Sequence, residues 1–539
     1  MCVVPFLVGT HSFPFPTFYR EWAALALGLV AIAATRRLGG AGALGVPAIA
    51  CGLLAFALVL GLQVLLGLVE FAERSATGML YAAWAALLTT TAVHLRERFG
   101  LAGVVVWLQA ALATAAFFLA VTGFMQRFQL QALSVQLLAD PGLPMMGLIG
   151  QRNHFANVVS CGLISVAGLF YAGWLRLPTA VLIALPMMAA LPISGSRSVW
   201  AYVVIAMACA PGWSRIGRRA LLALGAAIVL LFLAQFAFDG AAGARLAESV
   251  ASGQLDPKRW ALSRYAWAIF TAHPIVGAGF GEFAWQVFQA APVIGAGLDG
   301  VAEFHAHSLA LQLLAETGIV GAACVLLPLG AWFVGFRRSK EAARIAGIVG
   351  TRAFEGARAW LLAVALIQLF HGMVEFPQWH ADLLGLFALV LGLGARATRL
   401  PITGVWRWAP ASALLAGAVV LTGALLDYRA IERWQRGLER DRAAGRPVTA
   451  ERIGELVALR DSPFVWRVEG AIAGLVVAGD DPAPALALTG RALRGHPFLP
   501  LAARYADLLD HAGRIDEAAH VRRAAGVIAG RSAPGGPGR

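Results

Sequence analysis

The sequence predicts an all-α polytopic membrane protein with about twelve transmembrane helices. Of its 539 residues, 59% are hydrophobic and only 14% are charged, and the mean hydropathy is +0.71. Soluble domains contain about half apolar and about a quarter charged residues, so the composition alone indicates a membrane protein. Apolar segments that approach the length needed to cross a bilayer, about 20 residues, recur up to residue 427.

Twelve apolar segments are the predicted spans. They cover residues 22–34, 46–69, 79–95, 101–123, 155–175, 179–193, 198–211, 219–238, 308–334, 358–376, 381–397 and 407–427. No cleavable signal peptide is evident. The short apolar run before "HSFPFPTFYREW" is expected to be part of a first span that begins upstream of Met1.

Clusters of arginine predict the orientation of the spans. They occur in "TRR" (35–37), "RERF" (96–99), "SRIGRR" (214–219) and "FRRSKEAAR" (336–344). All four fall on one side of the membrane, which the positive-inside rule makes cytoplasmic. The extracytoplasmic side then receives residues 11–22, 124–154, 194–198, 239–307, 377–380 and everything after about 428.

The tail differs from the rest of the chain. We predict a transmembrane domain over residues 1–427, with a large loop at about 239–307, and an extracytoplasmic helical domain over 428–539. The tail segment "LAARYADLLDHAGRIDEAAHVRRAAGVI" is similar to a helix-turn-helix repeat of tetratricopeptide type. No segment alternates long enough to predict a sheet.

The formal net charge of +13 does not favour nucleic acid as a partner. Arginines at the cytoplasmic ends of spans explain it, with anionic membrane lipid as their partner. The five cysteines show neither metal-ligand spacing nor a disulfide framework.

A polar stripe lies at the start of the span after the large loop. Ser308, Gln312 and Glu316 follow at i, i+4 and i+8, so they share one helix face that should avoid lipid. His307 precedes them, where the helix leaves the loop. The alternative interpretation is a helix cap at Ser308 with an interfacial His307.

Three of the arginines on the predicted extracytoplasmic side, where the positive-inside rule does not explain them, stand out. They are Arg152 in "GQRNHFA", Arg197 in "SGSRSVW" and Arg264 in "RWALSRYAWAIF". A guanidinium binds phosphate oxygens with two parallel hydrogen bonds, so these arginines suit a lipid-linked diphosphate. Interfacial snorkelling or an intramolecular ion pair is the alternative for each.

Two other site types are weakly indicated. Glu303, His305 and His307 alternate and would share one side of an extended strand, as a metal site requires, but no further ligand of matching spacing lies nearby. The glycines of "HPIVGAGFGEF" (273–283) lack the strand-helix unit of a nucleotide fold.

The shortage of catalytic carboxylates has a chemical explanation if the donor is a glycosyl diphosphate. Its leaving group departs as a stable anion, so no general acid is needed, and arginines neutralise the developing charge. A histidine side chain, whose pKa lies near neutral pH, can orient or deprotonate an acceptor hydroxyl.

Several motifs resemble a known family. "HSLALQLLAETGIVG" has His307, Ser308, nine residues and Gly318, and so resembles the motif His, then Asn, Ser or Gln, nine residues, then Gly of the O-antigen ligase and polymerase (Wzy/WaaL/PglL) superfamily. "GQRNHFA", "SGSRS", "HPIVGAGFGEF" and "HGMVEFPQWHADLLG" (371–385), with the soluble tail, look like PglL-type bacterial protein O-oligosaccharyltransferases.

The resemblance implies a fold of the GT-C type in the bacterial inner membrane, with the active site on the periplasmic face. It implies en bloc transfer of a glycan from undecaprenyl diphosphate to Ser or Thr of a pilin or another periplasmic protein, without a metal or other cofactor. His307 matches the essential loop histidine, and Arg197 and Arg264 match arginines implicated in diphosphate binding. Arg152 lies in the QRN motif.

Further residues and functions stay open. Gln312, Glu316, Glu375 and His380 are candidates for shaping the cavity. An O-antigen ligase that transfers the glycan to lipid A core is the main alternative, followed by a glycan polymerase. A transporter would need inverted repeats and ionisable residues near span centres, neither of which is convincing here. A non-catalytic scaffold would leave the three arginines unexplained.

Overall fold

A computed structural model describes most of the chain. The described residues are 1–11, 14–38, 43–130, 145–210, 233, 257–295, 298, 300, 302–345, 352–401, 409–475 and 482–530. The predicted span at 219–238 and the cytoplasmic cluster at 214–219 therefore lie outside the described residues, apart from residue 233, as does the first part of the large loop, 239–256.

The described residues are mainly helical, and the prediction of an all-α polytopic membrane protein is confirmed. In the described part of the chain before residue 444 there are thirteen α-helices: α1 Phe18–Leu38, α2 Ala48–Leu65, α3 Ala72–Phe99, α4 Leu101–Arg127, α5 Arg152–Tyr171, α6 Leu177–Ile193, α7 Ser198–Cys209, α8 Pro257–Ala272, α9 Phe283–Ile294, α10 Leu309–Ile345, α11 Arg352–Val374, α12 Ala381–Gly394 and α13 Ala409–Ala443. Five shorter helices follow: α14 Ala450–Val457, α15 Val465–Leu475, α16 Ala483–Gly495, α17 Leu499–His511 and α18 Ile515–Ile528.

Eleven of the twelve predicted spans coincide with helices. Eight helices among the described residues are long and apolar enough to cross a membrane: α1 to α5, α10, α11 and α13. Helices α6, α7 and α12 are apolar but shorter than 18 residues. The apolar segment predicted at 198–211, in the place of α7, is also short. A helix of this kind keeps every backbone hydrogen bond inside the span, which hydrocarbon demands.

The sequence predicted no sheet, and this is wrong in detail because two short strands pair. β1, Ala43–Pro47, pairs antiparallel with β2, Ala397–Pro401, in the register Ala43 to Pro401 and Pro47 to Ala397. Five residues are too few for an alternating pattern to stand out from the apolar sequence around them. The predicted orientation assigns both strands to the cytoplasmic side, which stays a prediction.

The chain divides into two compact units, each built from segments that are distant in sequence. The first contains residues 1–51, 84–255 and 327–418, and the second contains 52–83, 256–326 and 419–539. In the first unit, α5 is the central helix and packs against α4, α6, α7 and α11. Gly162 of α5 permits a close approach, because a Cβ there would overlap Ala116 of α4.

In the second unit, the large loop and the tail share one hydrophobic core. Apolar residues of α8 and α9 are buried together with residues of α15 to α18 and with Ala315 of α10. A smaller cluster joins α13 to α14 and α15. The domain boundary at 427 and the tetratricopeptide character of the tail stay predictions.

Candidate functional site

The loop that carries His307 (residues 302–308, the histidine loop) leads into α10, and the loop after α8 crosses α10 at Gly318. Gly318 interrupts α10 with φ 61° and ψ −167°. There, the amides of Ile319 and Val320 donate to the carbonyls of Pro274 and Ile275, at 2.9 and 3.2 Å. A Cβ on Gly318 would overlap the Ile275 carbonyl. The spacing from His307 to Gly318 is therefore the length of helix between the loop histidine and this backbone crossing.

Glu316 fixes the same crossing from inside α10. Its side chain is buried, and its Oε1 accepts from the backbone amides of Gly281 and Phe283, at 2.9 and 3.3 Å. Its carbonyl accepts from Gly279 and from the Gln63 amide, at 3.1 and 2.7 Å. The carboxylate thus accepts from the backbone amides at the start of α9, where such a group is favoured.

Gln312 holds the loop that carries His307. Its buried amide accepts from the Ala306 backbone N–H at 2.6 Å and donates to the Phe304 carbonyl at 3.2 Å. His307 itself has φ 51° and shares a positive φ with only one other non-glycine among the described residues, Gln129. A side chain in this region of φ is uncommon and often marks a functional site when its surroundings enforce it.

Phe304, in the same loop, packs against the tail. Its ring stacks on His496, with centroids 5.2 Å apart and planes within 10°. The Arg74 guanidinium lies over Trp466, 4.1 Å from the ring centroid, and 5.6 Å from the centroid of Phe304. Arg74 also donates to the carbonyls of Gly281 and Gly495. The histidine loop is consequently packed between α10 and the helices of the tail.

Burial lowers the pKa of His496, and the positive charges of Arg467 and Arg74 lower it further, to about 4. The imidazole that stacks on Phe304 is therefore neutral at neutral pH. Protonation of His496 would place a third positive charge beside Arg467 and Arg74.

The residues of the weak metal motif have other partners. Glu303 forms an ion pair with Lys258 of α8. Within the described ranges, no group of three or more His, Cys, Asp or Glu side chains has the arrangement of a metal site.

Arg264 lies on the exposed face of α8. Its guanidinium donates to the carbonyl of Ile294, the last residue of α9, at 3.3 Å. The neighbouring Tyr265 points inward and donates to the Gly295 carbonyl at 2.6 Å. Burial raises the pKa of Tyr265 to about 12, so this phenol is a fixed hydrogen-bond donor.

In the first unit, Arg152 and Arg197 lie at the starts of two packed helices. Arg152 is the first residue of α5, and Arg197 caps α7. The Ser196 hydroxyl donates to Asn153 Oδ1 at 2.8 Å and so joins the two helix starts. The N-terminus of a helix attracts anions through its free N–H groups and its dipole. Two such ends with two guanidinium groups are suited to bind phosphate oxygens.

Glu375 and His380, both in the "EFPQWH" segment, extend this polar cluster. Glu375 is buried, and its Oε1 accepts from Asn153 Nδ2 at 2.7 Å. His380 Nδ1 lies 3.2 Å from Glu21 Oε1 and 3.4 Å from Arg20 Nη2. The structure thus joins Glu375 to Asn153 and Ser196, the sequence neighbours of Arg152 and Arg197, and the His380 ring lies beside that of His154.

The sequence interpretation missed the residues beneath that network. Arg20 is 2% exposed, lies 3.0 Å from the Asp382 carboxylate and donates to the Ile149 carbonyl at 2.8 Å. The rings of His154 and His380 lie 4.7 Å apart, and the Tyr202 hydroxyl lies 2.7 Å from His371 Nδ1. The available signal was an ionisable residue inside or next to an apolar segment, which is rare unless it is paired.

The candidate residues therefore fall into two sets. Arg152, Arg197, Glu375 and His380 lie in the first unit, and Arg264, His307, Gln312 and Glu316 lie in the second. The convergence of all three arginines on His307 stays a prediction. Arginines can hold and neutralise phosphate, while a histidine can orient or accept the proton of a hydroxyl.

Fold and candidate residues together define a class: a multi-pass helical membrane protein with cationic helix ends and a strained loop histidine. Residues 180–326 match the family described as O-antigen ligase, and residues 359–528 match the family described as virulence factor membrane-bound polymerase, C-terminal. The first match contains Arg197, Arg264 and His307. No curated protein matches the chain significantly. The two matches support the Wzy/WaaL superfamily and a ligase-like transfer of glycan from a lipid-linked donor to an acceptor.

Proposed function

We propose that the protein is a PglL-type O-oligosaccharyltransferase of the bacterial inner membrane, with its active site on the periplasmic face. It transfers a preassembled glycan from undecaprenyl diphosphate to Ser or Thr hydroxyls of a pilin or another periplasmic protein. The fold is of the GT-C type, and the reaction uses neither metal nor nucleotide.

In this reaction Arg152, Arg197 and Arg264 bind the two phosphates of the donor. His307 orients the acceptor hydroxyl or takes its proton. The hydroxyl oxygen attacks the anomeric carbon, the bond from that carbon to the phosphate oxygen breaks, and undecaprenyl diphosphate leaves with the electron pair. A single displacement of this kind inverts the anomeric configuration.

The observation that carries the proposal is the hydrogen bond between Ser196 and Asn153. It ties the helix start of Arg152 to that of Arg197, and it supports a phosphate-binding role because both helix ends favour an anion. The left-handed conformation of His307, with the braces at Gln312 and Phe304, supports a preorganised group of the second unit.

Two observations support a protein acceptor. The tail shares its core with the large loop that carries Arg264 and precedes His307, which gives a folded surface beside the candidate base. The "QRNHFA" and "EFPQWH" segments, which resemble the PglL type, also interact through Asn153 and Glu375.

The alternative functions rest on the family descriptions. An O-antigen ligase would use a sugar hydroxyl of lipid A core as the acceptor, and the match over 180–326 favours that reaction class. A glycan polymerase would use a second lipid-linked glycan, in keeping with the description of the match over 359–528.

Expression in a host that makes a known undecaprenyl-linked glycan tests the proposal. The gene is expressed with and without a candidate pilin, beside the His307→Ala variant. Glycan on the pilin, detected by a mass shift, supports the proposal. Glycan on lipid A core alone, or longer glycan chains alone, would instead support one of the two alternatives, and no transfer by a well-inserted protein would reject all three.

A further inference from the structure

Helix α8 carries an exposed aromatic and cationic face. Trp260 and Trp267 are 59% and 55% exposed, and Arg264 between them is also exposed. These positions, at i, i+4 and i+7, share one side of the helix. Indole side chains of this exposure are unusual in water-facing helices, since each is a large apolar surface.

The opposite face of α8 is anchored. Leu262, Tyr265, Ala266 and Ile269 are buried in the core shared with the tail. The helix contains Lys258, which pairs with Glu303, and Arg259 and Arg264, but no acidic residue. It is not among the described helices that are long and apolar enough to cross a membrane. An apolar, Trp-bearing face with cations beside it is the pattern of a helix that lies in the membrane interface.

The level of α8 relative to the bilayer follows from its connection to α10. Ile319 and Val320 are 59% and 40% exposed. The candidate span, Leu309–Ser339, is longer than the hydrocarbon core, and its part from Ile319 to Ser339 is about 30 Å long, which equals the thickness of that core. Arg337 and Arg338 mark the far end. Ile319 therefore lies at the near edge of the hydrocarbon.

The end of α8 lies at that same edge. The chain leaves α8 through Pro274 and Ile275, whose carbonyls accept from Ile319 and Val320. Ile275 is 65% exposed, so the outer surface of α8 continues into the lipid-facing surface of α10. Trp267, whose ring lies 5.4 Å from that of Phe270, faces outward two turns before this edge.

We propose that α8 is an interfacial helix whose Trp260–Arg264–Trp267 face docks on the phospholipid of the adjacent leaflet. The two indoles insert at the headgroup level, where tryptophan is enriched. Arg264 is thereby held at the depth of the lipid phosphates, and the cations of α8 favour an anionic lipid. This docking depends only on the chain spanning a membrane. It does not depend on the proposed reaction.

Fluorescence quenching in vesicles tests the docking. The environment-sensitive label NBD is attached at Trp267→Cys in the full-length chain with its native cysteines replaced. The protein is then reconstituted in phosphatidylcholine and phosphatidylglycerol vesicles. Nitroxide-labelled lipid should quench NBD at 267 at least several-fold more than NBD at Glu517→Cys, an exposed charged position on α18. Iodide in the water phase should show the opposite preference.

Equal quenching by nitroxide lipid at 267 and 517, with free access of iodide to 267, would overturn the proposal. If Trp267→Cys does not fold, Thr271→Cys reports on the next turn of the same exposed face and carries the same two outcomes. Neither readout requires glycan transfer, so a failed docking test leaves the proposed function standing and a failed transfer test leaves the docking standing.

Discussion

Ser196 and Asn153 join the starts of α5, whose first residue is Arg152, and of α7, whose N-cap is Arg197. The Ser196 hydroxyl donates to Asn153 Oδ1 at 2.8 Å, and Asn153 Nδ2 donates to Glu375 Oε1 at 2.7 Å. Asn153, in the first turn of α5, thus uses both ends of its amide to bind Ser196, next to the N-cap of α7, and Glu375, which follows α11. This side chain therefore helps to hold the helix starts that carry Arg152 and Arg197 together.

Substitution of Asn153 should weaken donor binding. A lost hydrogen bond costs about 0.5–1.5 kcal/mol and a buried group left without its partner about 1–3 kcal/mol. Ser196→Ala should therefore raise KM for the lipid-linked donor about two- to tenfold, and Asn153→Ala more. Steady-state transfer at varied donor concentration measures this. Arg337→Ala, at an exposed position of α10 outside the network, is the control and should leave KM unchanged; an unchanged KM in Asn153→Ala would contradict the role.

The brace at Gln312 should set the turnover rate. Its amide donates to the Phe304 carbonyl and accepts from the Ala306 amide, so Gln312→Glu keeps the acceptor and loses the donor, while Gln312→Ala loses both. We expect kcat to fall in the order Gln, Glu, Ala, because the His307 loop becomes less ordered. Protein yield and thermal unfolding in detergent separate this from misfolding. Equal kcat in all three proteins would mean that the brace is unimportant.

Gly318 should not tolerate a side chain. Alanine would enter a left-handed conformation, at about 1–3 kcal/mol, and its Cβ would overlap the Ile275 carbonyl. Gly318→Ala should lower the midpoint of thermal unfolding. Gly330→Ala, in the same helix with open space at its Cβ, is the matched control and should be neutral or stabilising, since alanine favours helix. Identical midpoints for the two variants would refute the account of the crossing.

Acid should destabilise the tail through His496. The pKa of His496 is lowered to about 4 in the folded protein, so the unfolded chain binds the proton more readily than the folded one. The resulting stability is fully present above about pH 6.5, is lost as pH falls toward 4, and changes no further below that. His496→Gln should flatten this part of the stability profile in unfolding measurements between pH 4 and 7. His511→Gln, on the exposed side of α17, should retain the slope of the wild type.

The helices were predictable because the signal for a span is local. About 20 apolar residues must form a helix in hydrocarbon whatever surrounds them, and α4 or α11 required nothing further. β1 and β2 were missed because their pairing joins residues 43–47 with 397–401, and neither segment alternates.

The residues of the candidate site were also predictable only where the signal is local. His307 and the arginines stand out as polar residues beside apolar runs, so the sequence indicated them. The buried pair of Arg20 and Asp382 depends on a contact across more than 300 positions, which no local pattern reveals. The stacking of Phe304 on His496 is likewise a product of the fold.

Transfer by the purified protein tests the central claim most directly. The protein is reconstituted with an undecaprenyl diphosphate glycan donor and a pilin acceptor, and glycosylated pilin is measured against time. His307→Ala and His307→Asn are compared with wild type, because asparagine tolerates the left-handed backbone and separates strain from chemistry. We expect wild type and Arg337→Ala to transfer glycan and both His307 variants to transfer none. Transfer by either His307 variant at the wild-type rate would contradict the central claim.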